Sequence, residues 1–292
     1  MFSNPQTYIF WLTLTAVIYW LIPHLRFRRI FLLFSSVAFV FSIAPFAVHA
    51  AIYMILLPII WSRIWKWKHN VLTFWLSLFS ALLPLIASRS IDDFKTPLFS
   101  FGLAFMTVRA LGVLLDLYRT KGTVPSLSFA LYLFFFPIYS AGPVEHLSTF
   151  SDVAAPSKLD PSTLLSSFLR ISVGILKTTY ISDTLLTSYM NAQWPNLVMN
   201  PEIHTSGQAW IFIFLKFAHT YINFSGYSDI AIGSAGILGF NIQENFNFPF
   251  LAKNMQEFWK RWHMSMGAWI MRYVFFPLLA IFRTEKASSS VP

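Results

Sequence analysis

The sequence predicts an all-α, polytopic membrane protein of about eight or nine hydrophobic helices, and three observations carry that prediction. Charged residues make up 11% of the 292 positions, against roughly 25% in soluble domains, too few to cover a water-facing surface of this size. Hydrophobic residues reach 56%, with 32 Phe, and mean hydropathy is +0.58. That is more apolar side chain than one or two water-facing cores could bury. The basic excess of +9 sits between apolar blocks and not on one face, which suits loops beside an anionic leaflet and excludes a nucleic-acid-binding surface. The absence of cysteine excludes disulfides, thiolate zinc sites, a Cys nucleophile and palmitoylation together.

The elements follow in chain order. Residues 7 to 23 form a first span; no basic region precedes them, so the run reads as a retained helix and not a cleaved signal peptide. Residues 30 to 62 carry no Asp, Glu, Lys or Arg; as one helix they would reach roughly 50 Å, too long for one ordinary span, so Ala44-Pro45 is expected to break them into two short helices. Residues 71 to 88 and 97 to 117 give two more spans, the second holding Arg109 and Asp116. Residues 122 to 144 form a further uncharged run ending in Ala141-Gly142-Pro143. Two longer runs follow, 161 to 190 with Arg170 and Lys177 inside it, and 208 to 240 with Lys216, His219 and Asp229; a last covers 264 to 282. Segments 145 to 160 and 191 to 207 are polar and Pro-containing, and read as loops or interfacial helices. With no internal repeat and no linker, residues 1 to 283 read as a single domain and 284 to 292 as a polar tail.

Basic clusters set the expected orientation. Arg26, Arg28 and Arg29 follow the first span, Arg63, Lys66 and Lys68 lie two spans later, and Arg119 and Lys121 two spans after that, so all three fall on the cytoplasmic side with the N-terminus outside.

Ionisable residues within spans cost about 2.5 kcal/mol or more, so each needs a partner or a function. Arg109 and Asp116, two helical turns apart, are each expected to find a partner or snorkel. Lys216 and His219 either flank a polar cavity or reach to the helix end. The stretch from Tyr221 to Tyr273 differs in kind. Asn223, Ser225, Tyr227, Ser228 and Asp229 concentrate polarity in membrane-grade sequence, as the wall of a wet cavity would; a polar seam of small residues between helices is the alternative. If residues 254 to 273 form one helix, Trp259, His263, Met266 and Ile270 share its apolar stripe and Glu257 pairs with Arg261 at i,i+4. A His on such a stripe is commonly a satisfied structural residue; burial there favours its neutral form, which can accept a proton from a hydroxyl.

The segments Phe-Ser-Gly-Tyr-Ser-Asp-Ile-Ala-Ile-Gly (224–233), Glu-Asn-Phe-Asn-Phe-Pro-Phe (244–250) and Glu-Phe-Trp-Lys-Arg-Trp-His-Met-Ser (257–265) resemble those of membrane-bound O-acyltransferases. The branch they are most similar to contains alginate O-acetyltransferases and teichoic acid D-alanyltransferases. Earlier features agree: Gly102-Leu-Ala-Phe leading to Asp116-Leu-Tyr-Arg119, and Phe135-Phe-Pro with Ala141-Gly-Pro143.

The resemblance implies a funnel of tilted helices in which an activated acyl donor meets a hydroxyl acceptor. It implies transfer of an acyl group, acetyl in the first instance, to a cell-envelope polysaccharide such as alginate, or to a polyol. The donor is an acyl thioester co-substrate, with no bound cofactor and no metal. Expected partners are membrane lipids, the acceptor, and an acyl carrier or extracytoplasmic acyltransferase, with no nucleic acid. The location is the bacterial inner membrane. His263 is the expected catalytic residue; Asn223, Tyr227, Ser228, Asp229, Asn245, Asn247 and Trp262 are the expected substrate-binding residues. His263 matches the first of two family histidines. The second, in a Leu-Trp-His-Gly context some 50 residues on and usually assigned as catalytic, would fall past residue 292, so the chain reads as the first two thirds of such an enzyme and is expected by itself to transfer little. An inactive membrane scaffold and, on intramembrane charges alone, a transporter are the alternatives.

Overall fold

The computed structural model describes residues 5–43, 45–90, 97–122, 126–152, 160–194 and 205–280, and among them there is helix and no strand. Apolar sequence with few breakers gives the first five helices: α1 (Pro5–Leu21), α2 (Leu25–Ile43), α3 (Pro45–Trp67), α4 (Val71–Ser90) and α5 (Pro97–Thr120). The 30–62 run is divided between α2, which ends at Ile43, and α3, which begins at Pro45, as the length argument requires. Among the described residues three helical stretches are long and apolar enough to cross a membrane: Val48–Trp67, Val71–Ser88 and Pro161–Gln193. The expected tail, 284–292, lies outside the described residues.

Two basic loops share one end of the bundle. The His69 ring stacks on Tyr118 with centroids 4.2 Å apart, its Nε2 lies 2.9 Å from the Tyr118 carbonyl, and Trp65 meets the same Tyr edge-on at 5.2 Å. Lys66 and Lys68 therefore stand beside Arg119 and Lys121, as the charge pattern anticipated.

The uncharged run 122–144 is not a span. Its helix, α6 (Ser126–Phe134), has nine residues, about 13 Å, less than half the hydrocarbon thickness. Phe135 leaves the helical region (φ −48°, ψ 101°) ahead of a short 3₁₀ turn at Phe136–Ile138; Pro137 has no N–H to give the Leu133 carbonyl and its ring would clash with it, so the α-helix cannot run on through it. The stranded carbonyls go to Arg109, which is 1% exposed. Its Nη1 donates to the Tyr132 carbonyl (2.9 Å), Nη2 to Ile138 (3.0 Å) and Tyr139 (3.2 Å), and Nε to Phe105 (3.4 Å). An irregular segment at membrane depth is thus stabilised by a buried fork of donors, as non-helical backbone away from water must be.

The second half rests on α8 (Pro161–Ile175), continuing through a π-helical stretch at Leu176–Thr187 into α9 (Ser188–Gln193), and on α10 (Ser206–Ile237). Asp160 caps α8 by accepting from the Thr163 amide, and Thr205 and Gln208 form a capping box on α10. Glycines set the α8–α10 distance. A Cβ at Gly226 would come within 2.9 Å of the Gly174 carbonyl, and one at Gly233 within 2.7 Å of the Ser167 carbonyl. The alternative of a small-residue seam is therefore real, on one side of α10. Gly233→Val should push the helices apart and cost about 1–3 kcal/mol, read as an earlier thermal unfolding in detergent. An unchanged transition would mean that the backbones do not approach as closely as drawn.

The helix expected over 254–273 is broken. After α7 (Leu147–Asp152) and α10, the chain forms α11 (Met255–Arg261), capped by Asn254, and α12 (Met264–Ile270), which runs on through a π turn at Met271–Phe275. Trp262 is extended and His263 adopts a left-handed conformation (φ 45°, ψ 54°). The shared stripe of Trp259, His263, Met266 and Ile270 accordingly does not exist. The Glu257–Arg261 pair, within α11, does.

Candidate active site

The segment between α10 and α11 is turned inward by a left-handed Gly239 (φ 82°). The Gly239 amide donates to the Gly236 carbonyl (3.0 Å) and the Phe240 amide to Ala235 (2.9 Å), the paired bonds of a Schellman cap. The chain then runs extended, and the Asn247 and Met264 amides donate to the Arg261 and Asn245 carbonyls at 3.0 and 2.8 Å. These two bonds bring residues 245–247 against the α11–α12 junction.

Asn245, fully buried, is the hub. Its Oδ1 lies 2.9 Å from both His263 Nδ1 and Ser265 Oγ, and its Nδ2 donates to Ser228 Oγ at 3.0 Å. The direction of these bonds is fixed by the network: Ser265 Oγ accepts the Val144 amide at 3.0 Å, so its hydroxyl proton goes to Asn245. An amide oxygen only accepts, so His263 Nδ1 carries a proton and, in the neutral ring, Nε2 keeps the free lone pair. The imidazole is half-buried at the junction outside the long helices, with the rings of Phe224 (4.9 Å), Phe105 and Phe246 (both 6.4 Å) around it. Burial lowers its pKa to about 4, so the neutral form prevails near pH 7.

On the cavity side of Asn245 lies a space of about 440 Å³ whose wall includes Arg170, Lys177, Ser228, Asp229, Glu244 and Asn247. Its charges form one network. Arg170 Nε donates to Asp229 Oδ1 (3.1 Å), Lys177 Nζ donates to Asp229 Oδ2 (2.7 Å), and both terminal nitrogens of Arg170 grip the Glu244 carboxylate. A second cavity of about 450 Å³, with Asp160, Thr163 and Asn241 in its wall, shares Arg170. Among the described residues no cluster of three His, Asp or Glu side chains is placed to hold a metal ion.

Of the residues singled out from sequence, Ser228, Asp229, Asn245 and Asn247 are brought together at this cavity. Asn223 and Tyr227 do not join them. Asn223 Nδ2 donates to Ser182 Oγ (3.0 Å) and Asp183 Oδ1 (3.4 Å), and Tyr227 bonds to Asn223 on that side. The helix explains the separation: at 100° per residue Asn223 and Tyr227 lie within 40° of each other, while Tyr221, Ser225, Ser228 and Asp229 occupy roughly the opposite arc. Trp262 does not line the cavity: it stacks on Phe217 (5.4 Å, 11° between planes) within a cluster with Phe258 and with Phe246, which does. His263 reaches the cavity through Asn245 and does not line it. Arg170, Lys177 and Glu244 were passed over as site residues. The two cations stand seven residues apart on one span, opposite the only acid of the next, Asp229, and that spacing was available in the sequence.

Asp116 and Arg109, on one face of α5, have separate partners. Asp116 accepts from Tyr273 Oη (2.7 Å) and, more weakly, from Arg272 (3.4 Å).

The similarity of this chain to known proteins follows the same segments. Over 183 residues, 62% of its length, it is 33% identical to a probable alginate O-acetylase of Pseudomonas aeruginosa, of which the match covers 34%. It is 25% identical over 286 residues to the teichoic acid D-alanyltransferase of Streptococcus thermophilus, covering 90% of this chain and 67% of that protein. With the peptidoglycan O-acetyltransferase of Helicobacter pylori it shares 30% identity over 160 residues, 52% of this chain and 28% of that protein. The chain thus spans about a third of the length of the alginate O-acetylases it matches. The sequence pattern of the membrane-bound O-acyltransferase family matches residues 29–291, which takes in most of α2, all of α3 to α12, Arg109 and the whole Asn245 hub, and the chain belongs to that membrane-embedded family.

Proposed function

We propose that the protein takes part in O-acyl transfer within the bacterial inner membrane, from an acyl thioester to a hydroxyl of a cell-envelope polysaccharide such as alginate, with acetyl as the acyl group. The observation that carries the reading is the Asn245 hub, which lines a charged cavity and holds behind it a neutral imidazole whose Nδ1 is taken by Asn245 Oδ1. In the reaction, His263 Nε2 accepts the proton of the acceptor hydroxyl as its oxygen attacks the thioester carbonyl; the tetrahedral intermediate collapses, the C–S bond breaks and the thiolate leaves with its electron pair. Arg170 and Lys177, paired with Asp229 and Glu244, give the wall a charge-balanced set of donors and acceptors suited to a polar, hydroxyl-rich acceptor. An acyl carrier or an extracytoplasmic acyltransferase would then act on either side of the same membrane.

The closed aromatic surround of His263 favours a second reading, in which His263 is a structural anchor for the junction and another group moves the proton. The experiment that separates the two is ester content of envelope polysaccharide in cells making the protein or its His263→Ala variant, paired with transfer of a labelled acyl thioester to uronate polymers in nanodiscs. Loss of ester with normal protein level and folding supports the base. Full ester content in the variant would assign His263 to the scaffold.

A further inference from the structure

Two cavities share Arg170, and the side chains along their walls fall into two facing rows. Along α8 and its π-helical continuation, Thr163, Arg170 and Lys177 follow at intervals of seven residues, so they stand on one face, each step rising about 10 Å. Opposite them, the segment after Gly239 carries Asn241, Glu244 and Asn247 at intervals of three, a step that extended chain also covers in about 10 Å. The rows run in the same direction and meet as three rungs. Thr163 and Asn241 line the cavity of about 450 Å³, Lys177 and Asn247 line that of about 440 Å³, and Arg170 grips Glu244 between them.

The middle rung is closed and the outer two are open. Arg170 and Glu244 satisfy one another, yet their side chains stay 30% and 50% exposed, so the pair forms a floor that a ligand can cross. Among the described residues the side-chain amides of Asn241 and Asn247 have no partner, and each offers two N–H donors and one carbonyl acceptor. Lys177 gives one of its three N–H groups to Asp229 and keeps the others. The Thr163 hydroxyl donates to Asp160 at 2.9 Å, which leaves its oxygen able to accept. Thr163 is exposed at the start of Pro161–Gln193, a stretch long and apolar enough to cross a membrane, so the groove enters from the membrane surface.

A groove about 21 Å long from Thr163 to Lys177, with neutral donors and acceptors unpaired at both ends and its carboxylates paired, suits a linear chain of hydroxyl-bearing units and not a compact ligand. We propose that the two cavities are the outer and inner subsites of one groove that binds a sugar chain lengthwise. The chain crosses the exposed face of the Arg170–Glu244 pair, with one unit at Asn247 and Lys177 and another at Asn241 and Thr163. That this chain is the acyl acceptor rests on the acyl-transfer reading; that it is held at two places does not. A disaccharide can fill one cavity, each being the size of a small-molecule site, but cannot touch both outer rungs.

The test measures binding of 1,4-linked oligouronates, labelled at the reducing end, to the whole protein in nanodiscs by microscale thermophoresis. The hexasaccharide should bind at least roughly tenfold more tightly than the disaccharide, because the second subsite acts at high effective concentration once the first is filled. Asn241→Ala removes the outer amide, and Ser166→Trp fills the outer cavity from an exposed position in its wall. Each should bring the hexasaccharide most of the way down to the affinity of the disaccharide, with the unfolding temperature unchanged. Equal affinity for the two lengths, or a hexasaccharide advantage that survives both variants, would overturn the two-subsite assignment and leave the acyl-transfer reading standing. Binding of neither length would overturn this assignment and the polysaccharide acceptor together.

Discussion

Arg109→Met is expected to remove a large share of the stability of the fold. The arginine is 1% exposed, and three of its bonds reach the Tyr132, Ile138 and Tyr139 carbonyls at 2.9, 3.0 and 3.2 Å. Methionine fills much of the volume but donates nothing, and each carbonyl left unpaired away from water costs about 1–3 kcal/mol. A loss of roughly 3–5 kcal/mol follows, set against a total of about 5–15 kcal/mol for a folded domain. Lysine should recover only a fraction, since one ammonium cannot span acceptors that a planar fork reaches together. The comparison is Arg119→Met: Arg119 is exposed, with its guanidinium 5.9 Å from the Tyr273 ring, and its loss should cost about 1 kcal/mol or less. Unfolding in detergent, followed by Trp fluorescence, decides the matter; Arg109→Met and Arg119→Met unfolding together would remove the fork from its structural role.

Arg109 also shows where reading the sequence succeeds and where it stops. Its presence within a span marks it as a residue with a partner, but the partner is backbone, exposed by Pro137, and no side-chain pattern points to it. Hydropathy cannot see Pro137 either, which is why residues 122–144 read as one more span. The boundary at Ala44-Pro45 was legible because length and proline agree there. The break at His263 was not: a left-handed residue is announced by Gly, and here a His takes that conformation, held by the Met264 amide on the Asn245 carbonyl and its own side chain on Asn245 Oδ1. Within α10, polarity was legible as density but its two arcs were not separated, so Asn223 and Tyr227 were grouped with Asp229. The Arg170–Asp229–Lys177 network needed the Gly226–Gly174 approach that brings α8 and α10 together, a tertiary fact carried by small residues.

The other large effect concerns the tautomer of His263 and rests on the proposed acyl transfer. Asn245 Oδ1 can only accept, so it holds the Nδ1 proton and leaves Nε2 free; burial holds the imidazole pKa at about 4. A base of this kind acts in its deprotonated form, so transfer should persist as pH falls from 7 and decline only on approaching that value. His263→Ala should lower transfer by about 10²- to 10⁴-fold, the usual worth of a positioned general base. Asn245→Asp keeps the shape and the acceptor but adds a negative charge about 3 Å from Nδ1. An opposite charge so close favours the imidazolium and raises its pKa by about 1–3 units. The acid limb of the pH–rate profile should then move upward by the same amount, with activity falling at a pH where the unaltered protein is still working, while Asn245→Leu, which frees Nδ1 and strands Ser228, should lose activity at every pH. Normal folding of each variant is checked by its unfolding temperature. A profile that Asn245→Asp leaves in place would show that the rate does not depend on the protonation of His263, and the hub would then be a brace for the α11–α12 junction alone.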